Sequence, residues 1–221
     1  GTPRASLDGG ADGFFVGEGC GALVLRRLDD CDTGSRAAAT GRTLALAGSK
    51  NDETGKIYAS ISSVACRTSV TEAAAAAVQA APGGLTAADV DYIELSADGD
   101  AELDTRELKE LAQAFGRSGA PNNKKNKQNN QSSTSSTNVK RNKSVAVGTV
   151  KANVGHVGYA SGAAALIKAA LCLHNRYLPS LPHWGGPKDD HQRTWDESSF
   201  YVCQDSRAWV KNAGDRRHCA V

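Results

Sequence analysis

Methionine is absent from all 221 residues, position 1 included, and this absence predicts that the chain begins inside a longer polypeptide. No apolar run reaches the roughly 18 residues that read as a membrane-crossing helix. The opening GTPRASLDGG also lacks the basic segment followed by an apolar segment that marks an export signal. Together these exclude a helical membrane span and predict a cytoplasmic location. The cysteines at positions 20, 31, 66, 172, 203 and 219 form no CxxC pair and no metal-ligand spacing, which argues against a structural metal. Most lie in apolar stretches, where a thiol packs as a small hydrophobe, and a reducing compartment fits them best. A chain of this length, with 40% apolar residues and 23 glycines, is neither wholly disordered nor a disulfide-stapled miniprotein. One domain, or most of one, is expected.

The formal charge of +2 conceals a strong asymmetry. Residues 117–144 (RSGAPNNKKNKQNNQSSTSSTNVKRNKS) hold seven of the 26 basic residues and no acid, leaving 19 basic against 24 acidic residues elsewhere. This stretch is too polar to offset its own ordering entropy by burial, so it reads as a disordered, low-complexity insertion. It contains no aromatic side chain on which a base could stack, which argues against nucleic acid as its partner.

Around the insertion, strand and helix patterns alternate. Gly21–Leu28 is a short apolar run after a glycine loop, and Lys56–Arg67 alternates Ile57, Ala59 and Ile61 with Tyr58, Ser60 and Ser62; both read as strands. Thr71 is a candidate cap for a helix through Ala73–Ala81, ended by Pro82-Gly83-Gly84, and Thr86 offers a second cap. Val90–Leu95 reads as a strand. Asp104–Phe115 places Leu108, Leu111, Ala112 and Phe115 on one helix face, and Ser144–Val150 is a further strand. This order predicts a layered α/β fold with buried strands.

The stretch Val145–Arg176 carries the most chemistry. A buried strand runs into a glycine-punctuated turn bearing Lys151, Asn153 and His156, and a helix over Tyr159–Leu173 follows, apolar or small nearly all round with Lys168 its only charge. About 15 residues are too few to span a bilayer, so the helix reads as a buried core element. Lysine, asparagine and histidine within six positions at the carboxyl end of a strand sit where α/β folds collect their sites. The glycines at 17, 19 and 21 do not make a dinucleotide loop, because the segment after them reads as strand rather than helix. Ser161 in GYASG lacks the glycine spacing of a hydrolase elbow.

The run VKANVGHVGYASGAAALIK resembles the K-x-N-x-G-H motif of β-ketoacyl synthases, the condensing enzymes of fatty acid and polyketide synthesis. Ala11–Asp30 (ADGFFVGEGCGALVLRRLDD) is similar to the family's D-G-F-x-x-G-E-G-A-G segment, and Leu178–Trp209 to its closing segment. The wording is closest to the ketosynthase-type domains of polyunsaturated fatty acid and polyketide synthases. The resemblance implies the thiolase-like fold, an αβαβα core of five layers, present here mainly as its C-terminal half. Residues 1–30 would end the first half, 31–116 and 145–221 would form the second, and 117–144 would be inserted. The family's glycine-rich G-F-G-G-T-N segment would follow Val221.

The resemblance implies decarboxylative Claisen condensation of acyl and malonyl thioesters, with no cofactor and no metal. The partners would be an acyl carrier protein bearing phosphopantetheine-bound acyl or malonyl groups and a second ketosynthase-type domain in a dimer. His156 matches the second of two histidines that stabilise the enolate, Lys151 matches the family lysine that orients the site, and Asn153 and Glu94 would support them. The nucleophilic cysteine of the family would lie upstream of Gly1. Cys20 stands where alanine is usual and is expected to be buried. Ile93–Glu107 aligns with E-A-H-G-T-G-T-x-x-G-D-x-x-E: Glu94, Gly99, Asp104 and Glu107 match, but Ser96 replaces the first histidine and Asp98 and Asp100 replace the two threonines. Serine donates one hydrogen bond and cannot carry imidazolium charge. Two readings follow, an active synthase and a catalytically degenerate chain-length-factor partner. A third, of another class, is an adaptor that binds its partner through the basic insertion. The shared-site reading places His156 beside Lys151 and near Ser96.

Overall fold

The computed structural model describes residues 6–28, 44–47, 57–115, 143–187 and 189–221. The expected loop 117–142 lies outside the described residues. Lys143 and Ser144, assigned to the insertion above, instead belong to the fold: the Lys143 ammonium donates to the carbonyls of Trp195 and Ser198, and the Ser144 N–H donates to Ser199 O at 2.9 Å.

The centre is a parallel sheet of four strands: β4 (Val90–Glu94), β5 (Val145–Gly148), β7 (Phe200–Val202) and β9 (His218–Ala220), in the order β7-β5-β4-β9. The two middle strands are buried on both faces, apart from half-buried Asp91, as in a sheet covered on both sides. Ile93, Val145 and Val147 join a core with Leu108, Leu111 and Phe115 of α2 (Ala101–Phe115), with α1 (Val70–Ala80) packed beside it. On the other face, Tyr92 and Ala146 pack with Cys172 of α4 (Ser161–Asn175) and with Trp209. Thus α2 covers one face and α4 the other, the layered α/β arrangement expected.

The remaining described elements are peripheral. An antiparallel sheet of β1 (Leu25–Arg27), β2 (Leu44–Ala47) and β3 (Ile57–Ile61) lies against α4 through β3. A short ribbon pairs β6 (Tyr177–Leu178) with β8 (Arg207–Ala208). Helix α3 (Lys151–Val154) is a single turn, and α5 (Gln192–Glu197) contributes buried Trp195.

Several boundaries differ from expectation, each for a local reason. The strands expected over 21–28 and 56–67 shrink to β1 and β3, because pairing with β2 supplies hydrogen bonds over only those few residues among the described ones. Helix α1 is capped by Ser69, whose hydroxyl accepts from Glu72 N–H at 3.4 Å; the Thr71 hydroxyl instead donates to Glu110 O on α2 at 2.8 Å. Helix α2 starts three residues earlier than expected because the Asp100 carboxylate accepts from the N–H groups of Glu102 and Leu103 at 2.9 and 3.0 Å. The expected cap at Thr86 opens only a 3-10 turn, Ala87–Asp89, where its N–H and hydroxyl both donate to Asp89. The expected core helix proves half-covered: within α4 only Ala169, Ala170 and Cys172 are buried, while Leu171 and the preceding Tyr159 are exposed. Its apolar composition on all sides exceeds what the described residues cover. Cys20, expected to be buried, is exposed.

Candidate functional site

Parallel pairing sets the site, because β4 and β5 are neighbours and their carboxyl ends leave the sheet side by side, with Glu94 opposite Gly148. The turn after β4 (residues 95–100) therefore meets the turn after β5 (149–157), and the Leu95 N–H donates to Gly148 O at 2.8 Å. Two carboxylates on α2 brace the first turn from below. Glu107 accepts from Ser96 N–H at 2.8 Å and from Ala97 N–H at 2.9 Å, one per oxygen. Asp104 accepts from Gly99 N–H at 3.2 Å and from Leu7 N–H at 2.9 Å. Burial pushes the Asp104 carboxyl up to about 6 although both backbone bonds act to lower it. Desolvation of the charged form outweighs the two donors.

A strap, residues 12–17, crosses both turns with main-chain bonds. At one end Asp12 bridges Asp100 and the Gly13 N–H donates to Gly99 O at 2.9 Å. At the other, His156 N–H donates to Phe15 O at 2.7 Å and Gly17 N–H to His156 O at 3.0 Å. Such close approach requires glycine. A Cβ on Gly99, at φ +82°, would lie 2.0 Å from Gly13 O, and one on Gly17 would lie 2.1 Å from Val154 O. The glycine run at 17–21 thus serves packing against the β5–α4 connection.

Four side chains meet between the turns. The Lys151 ammonium, on a side chain only 6% exposed, binds the Asp98 carboxylate and donates to Ser96 Oγ at 3.1 Å. The Ser96 hydroxyl donates in turn to Asp98 Oδ1 at 3.3 Å, and His156 Nε2 stands 4.0 Å from that same oxygen. Lys151 beside Asp98 holds this carboxyl below the usual carboxylate range. His156 Nδ1 accepts from Gly158 N–H at 3.0 Å, which places the neutral ring's proton on Nε2, the nitrogen facing Asp98. The ring of Phe14 lies 4.7 Å from the imidazole and tilts over it. The expected grouping of His156, Lys151 and Ser96 therefore forms. Asn153 sits exposed on α3, outside this hydrogen-bonded group.

Glu94 lies beneath the group, fully buried. It pairs with Lys168 Nζ at 3.0 Å and accepts from the Tyr92 hydroxyl. Burial raises its carboxyl above the ordinary value against the opposing pull of Lys168. Lys168, the lone charge on α4, thereby acquires its counter-ion from the neighbouring strand. Sequence reading named Asp98 only as a departure from the family pattern. Its part as the acceptor linking Lys151, Ser96 and His156 depends on the conformation of the turn; the one signal available was a lysine on the adjoining turn that required a counter-charge. Among the described residues no group of histidine, cysteine, aspartate or glutamate is arranged to hold a metal ion, and no helix is long and apolar enough to cross a membrane.

The fold is the thiolase-like fold of solved ketosynthase domains, here mainly its C-terminal half. It matches the ketosynthase from module 6 of the bacillaene synthase of Bacillus subtilis 168 with a TM-score of 0.68 and 22% identity, over 97% of this chain and 33% of that one. Residues 129–184 match the β-ketoacyl synthase C-terminal domain. The chain is 39% identical, over its whole length, to 9% of a polyunsaturated fatty acid synthase polypeptide of Thraustochytrium sp.. It is 32% identical over 79% of its length to 7% of a phenolphthiocerol/phthiocerol polyketide synthase polypeptide of Mycobacterium tuberculosis. The chain belongs to the β-ketoacyl synthase family, and it spans less than a tenth of the length of these two curated relatives.

Proposed function

We propose that this chain is the part of a β-ketoacyl-[acyl-carrier-protein] synthase-type domain that contributes Lys151 and His156 to an acyl-thioester site in fatty acid or polyketide assembly. The reaction is decarboxylative Claisen condensation. A malonyl thioester loses CO2, the resulting enolate attacks the carbonyl of a second acyl thioester, and a thiolate leaves. His156 presents a fixed Nε2–H toward the space between the turns, where a hydrogen-bond donor would stabilise the enolate oxygen as its charge develops. Lys151 anchors the wall of the site through its bonds to the Ser96 turn. The substrates are acyl and malonyl groups on the phosphopantetheine arm of an acyl carrier protein, and the working unit is a dimer of ketosynthase-type domains in the cytoplasm. The observation that carries this reading is the meeting of Lys151 and His156 with the Ser96 turn at the exits of two adjacent parallel strands.

One observation favours a second reading. Ser96 supplies a hydroxyl where the family pattern has an imidazole, a loss that fits a catalytically degenerate chain-length-factor partner, and Asp98 already engages the lysine here. One experiment separates the two. His156→Ala in the full-length protein is expected to lower product formation from acyl- and malonyl-carrier protein by about 10²–10³-fold, the loss typical of one such donor. Unchanged turnover with an altered product chain length would overturn condensation at this site and establish the partner reading.

A further inference from the structure

Two donors converge on Asp98, the Lys151 ammonium and the Ser96 hydroxyl at 3.3 Å, and His156 Nε2 stands 4.0 Å from the same carboxylate oxygen. An ammonium with an imidazole N–H beside it forms a receptor for a carboxylate, and the ammonium's charge-assisted bond is about twice as strong as a neutral one. The carboxylate that fills the receptor belongs to the chain itself. The Asp98 side chain is 47% exposed, against 6% for Lys151, so the anion lies on the open side of the pair and the cation behind it. An incoming group meets Asp98 before it can reach Lys151.

We infer that Asp98 is an internal competitor for the carboxylate slot of this site, a specificity-determining residue that favours uncharged acyl thioesters over thioesters carrying a free carboxylate, such as malonyl. This rests on the acyl-thioester reading given above. A group tethered within the same turn competes at an effective concentration on the order of millimolar or more. The tethered anion weakens binding of a free carboxylate by about the ratio of this effective concentration to the slot's own dissociation constant, on the order of tenfold or more for a slot of submillimolar affinity. An uncharged acyl group does not use the slot and escapes this competition. Because Asp98 is half-exposed, it can swing into water when displaced, and the carboxylated substrate is disfavoured rather than barred.

The test measures the ratio of dissociation constants for malonyl-pantetheine and acetyl-pantetheine by calorimetry on the full-length protein. The nearly isosteric Asp98→Asn and the smaller Asp98→Thr are each expected to shift this ratio toward malonyl by tenfold or more, and added salt is expected to shrink the shift. Adding Lys151→Gln to Asp98→Asn is expected to abolish it. In the wild-type protein, the Asp98 carboxylate carbon resonance is expected to move on addition of malonyl-pantetheine and to stay in place with acetyl-pantetheine. An unchanged ratio in both Asp98 variants, or an identical resonance shift with both thioesters, overturns the inference while leaving the acyl-thioester reading intact. Failure of both thioesters to bind the wild type and every variant overturns that reading, and the inference falls with it.

Discussion

Lys168→Met removes the partner of a carboxylate that has no access to water. Glu94 has a side chain 0% exposed and Lys168 one 13% exposed, with Nζ–Oε2 at 3.0 Å, so Glu94 alone is left without a route to solvent. Two outcomes compete. If Glu94 stays ionised, breaking a buried pair from one side costs about 3–5 kcal/mol. If it takes up a proton, the cost is about 1.4 kcal/mol for each pH unit above the ordinary glutamate value of about 4.3, which makes about 4 kcal/mol at pH 7 and about 1 kcal/mol at pH 5. The cheaper route prevails at each pH, and because burial already raises Glu94 in the wild type, Lys168→Met is expected to lose at most about 4 kcal/mol at pH 7 and at most about 1 kcal/mol at pH 5. The sign follows from the direction of the shift. Burial already raises the Glu94 carboxyl, and removing Lys168 removes the influence that lowers it. A group with a raised folded-state value contributes stability that is present at low pH and lost as pH rises through that value. Equilibrium urea denaturation at both pH values measures the difference. Adding Glu94→Gln should remove the pH dependence, because no carboxyl then remains. A loss below about 1 kcal/mol at pH 7, or the same loss at both pH values, would refute the argument that Glu94 is sealed beneath the site.

Other outcomes follow from the bracing of the turns. Glu107→Gln leaves one oxygen to accept where two backbone N–H groups of the Ser96 turn now donate, and is expected to cost about 1–3 kcal/mol in a denaturation assay. Asp104, raised to about 6 by burial, contributes stability that is full below the ordinary aspartate value and lost as pH rises toward 6; the stability difference between wild type and Asp104→Asn should therefore change across that interval and be flat above it. Gly17→Ala should cost about 1–3 kcal/mol and perturb the His156 resonances, because its Cβ would meet Val154 O. Gly162→Ala, in open space on α4, should raise stability by about 1 kcal/mol through helix propensity alone.

How much of this could be read in the residues varied with the kind of information required. Strands β4 and β5 and helix α2 were legible because their patterns are strong and their partners are one another; Leu108, Leu111 and Phe115 all face the core as their spacing indicated. The helix cap was harder. Ser69 and Thr71 are both good caps, and the choice between them was made by Glu110, a residue some forty positions away that engages the Thr71 hydroxyl. The half-covered state of α4 was not legible, since an apolar residue reports that something will cover it without saying what. Cys20 failed for a related reason: it stands where the family usually has alanine, which suggested burial, yet the flanking glycines bring the backbone close to Val157 and the thiol is exposed. Within the site, the approach of Ser96 to Lys151 followed from the motif resemblance, and the parallel pairing of β4 with β5 is what brings it about. The placement of Asp98 between Lys151 and His156 required the shape of the 95–100 turn, including the positive φ of Ala97, and no periodicity encodes that.

The strap across the two turns holds them almost entirely through its backbone, while Phe14, Phe15 and Val16 turn outward, 53%, 58% and 83% exposed. Apart from the contact of Phe14 with the His156 ring, those side chains are therefore insulated from the job of keeping the turns in register. Most replacements at Phe15 and Val16 should alter what the surface meets without altering the distance between Lys151 and Ser96, whereas the neighbouring Gly17 tolerates almost no replacement. The segment behaves as a modular rim, in which the residues that adapt to a new neighbour and those that preserve the geometry of the site lie side by side on one short stretch of chain and can drift independently.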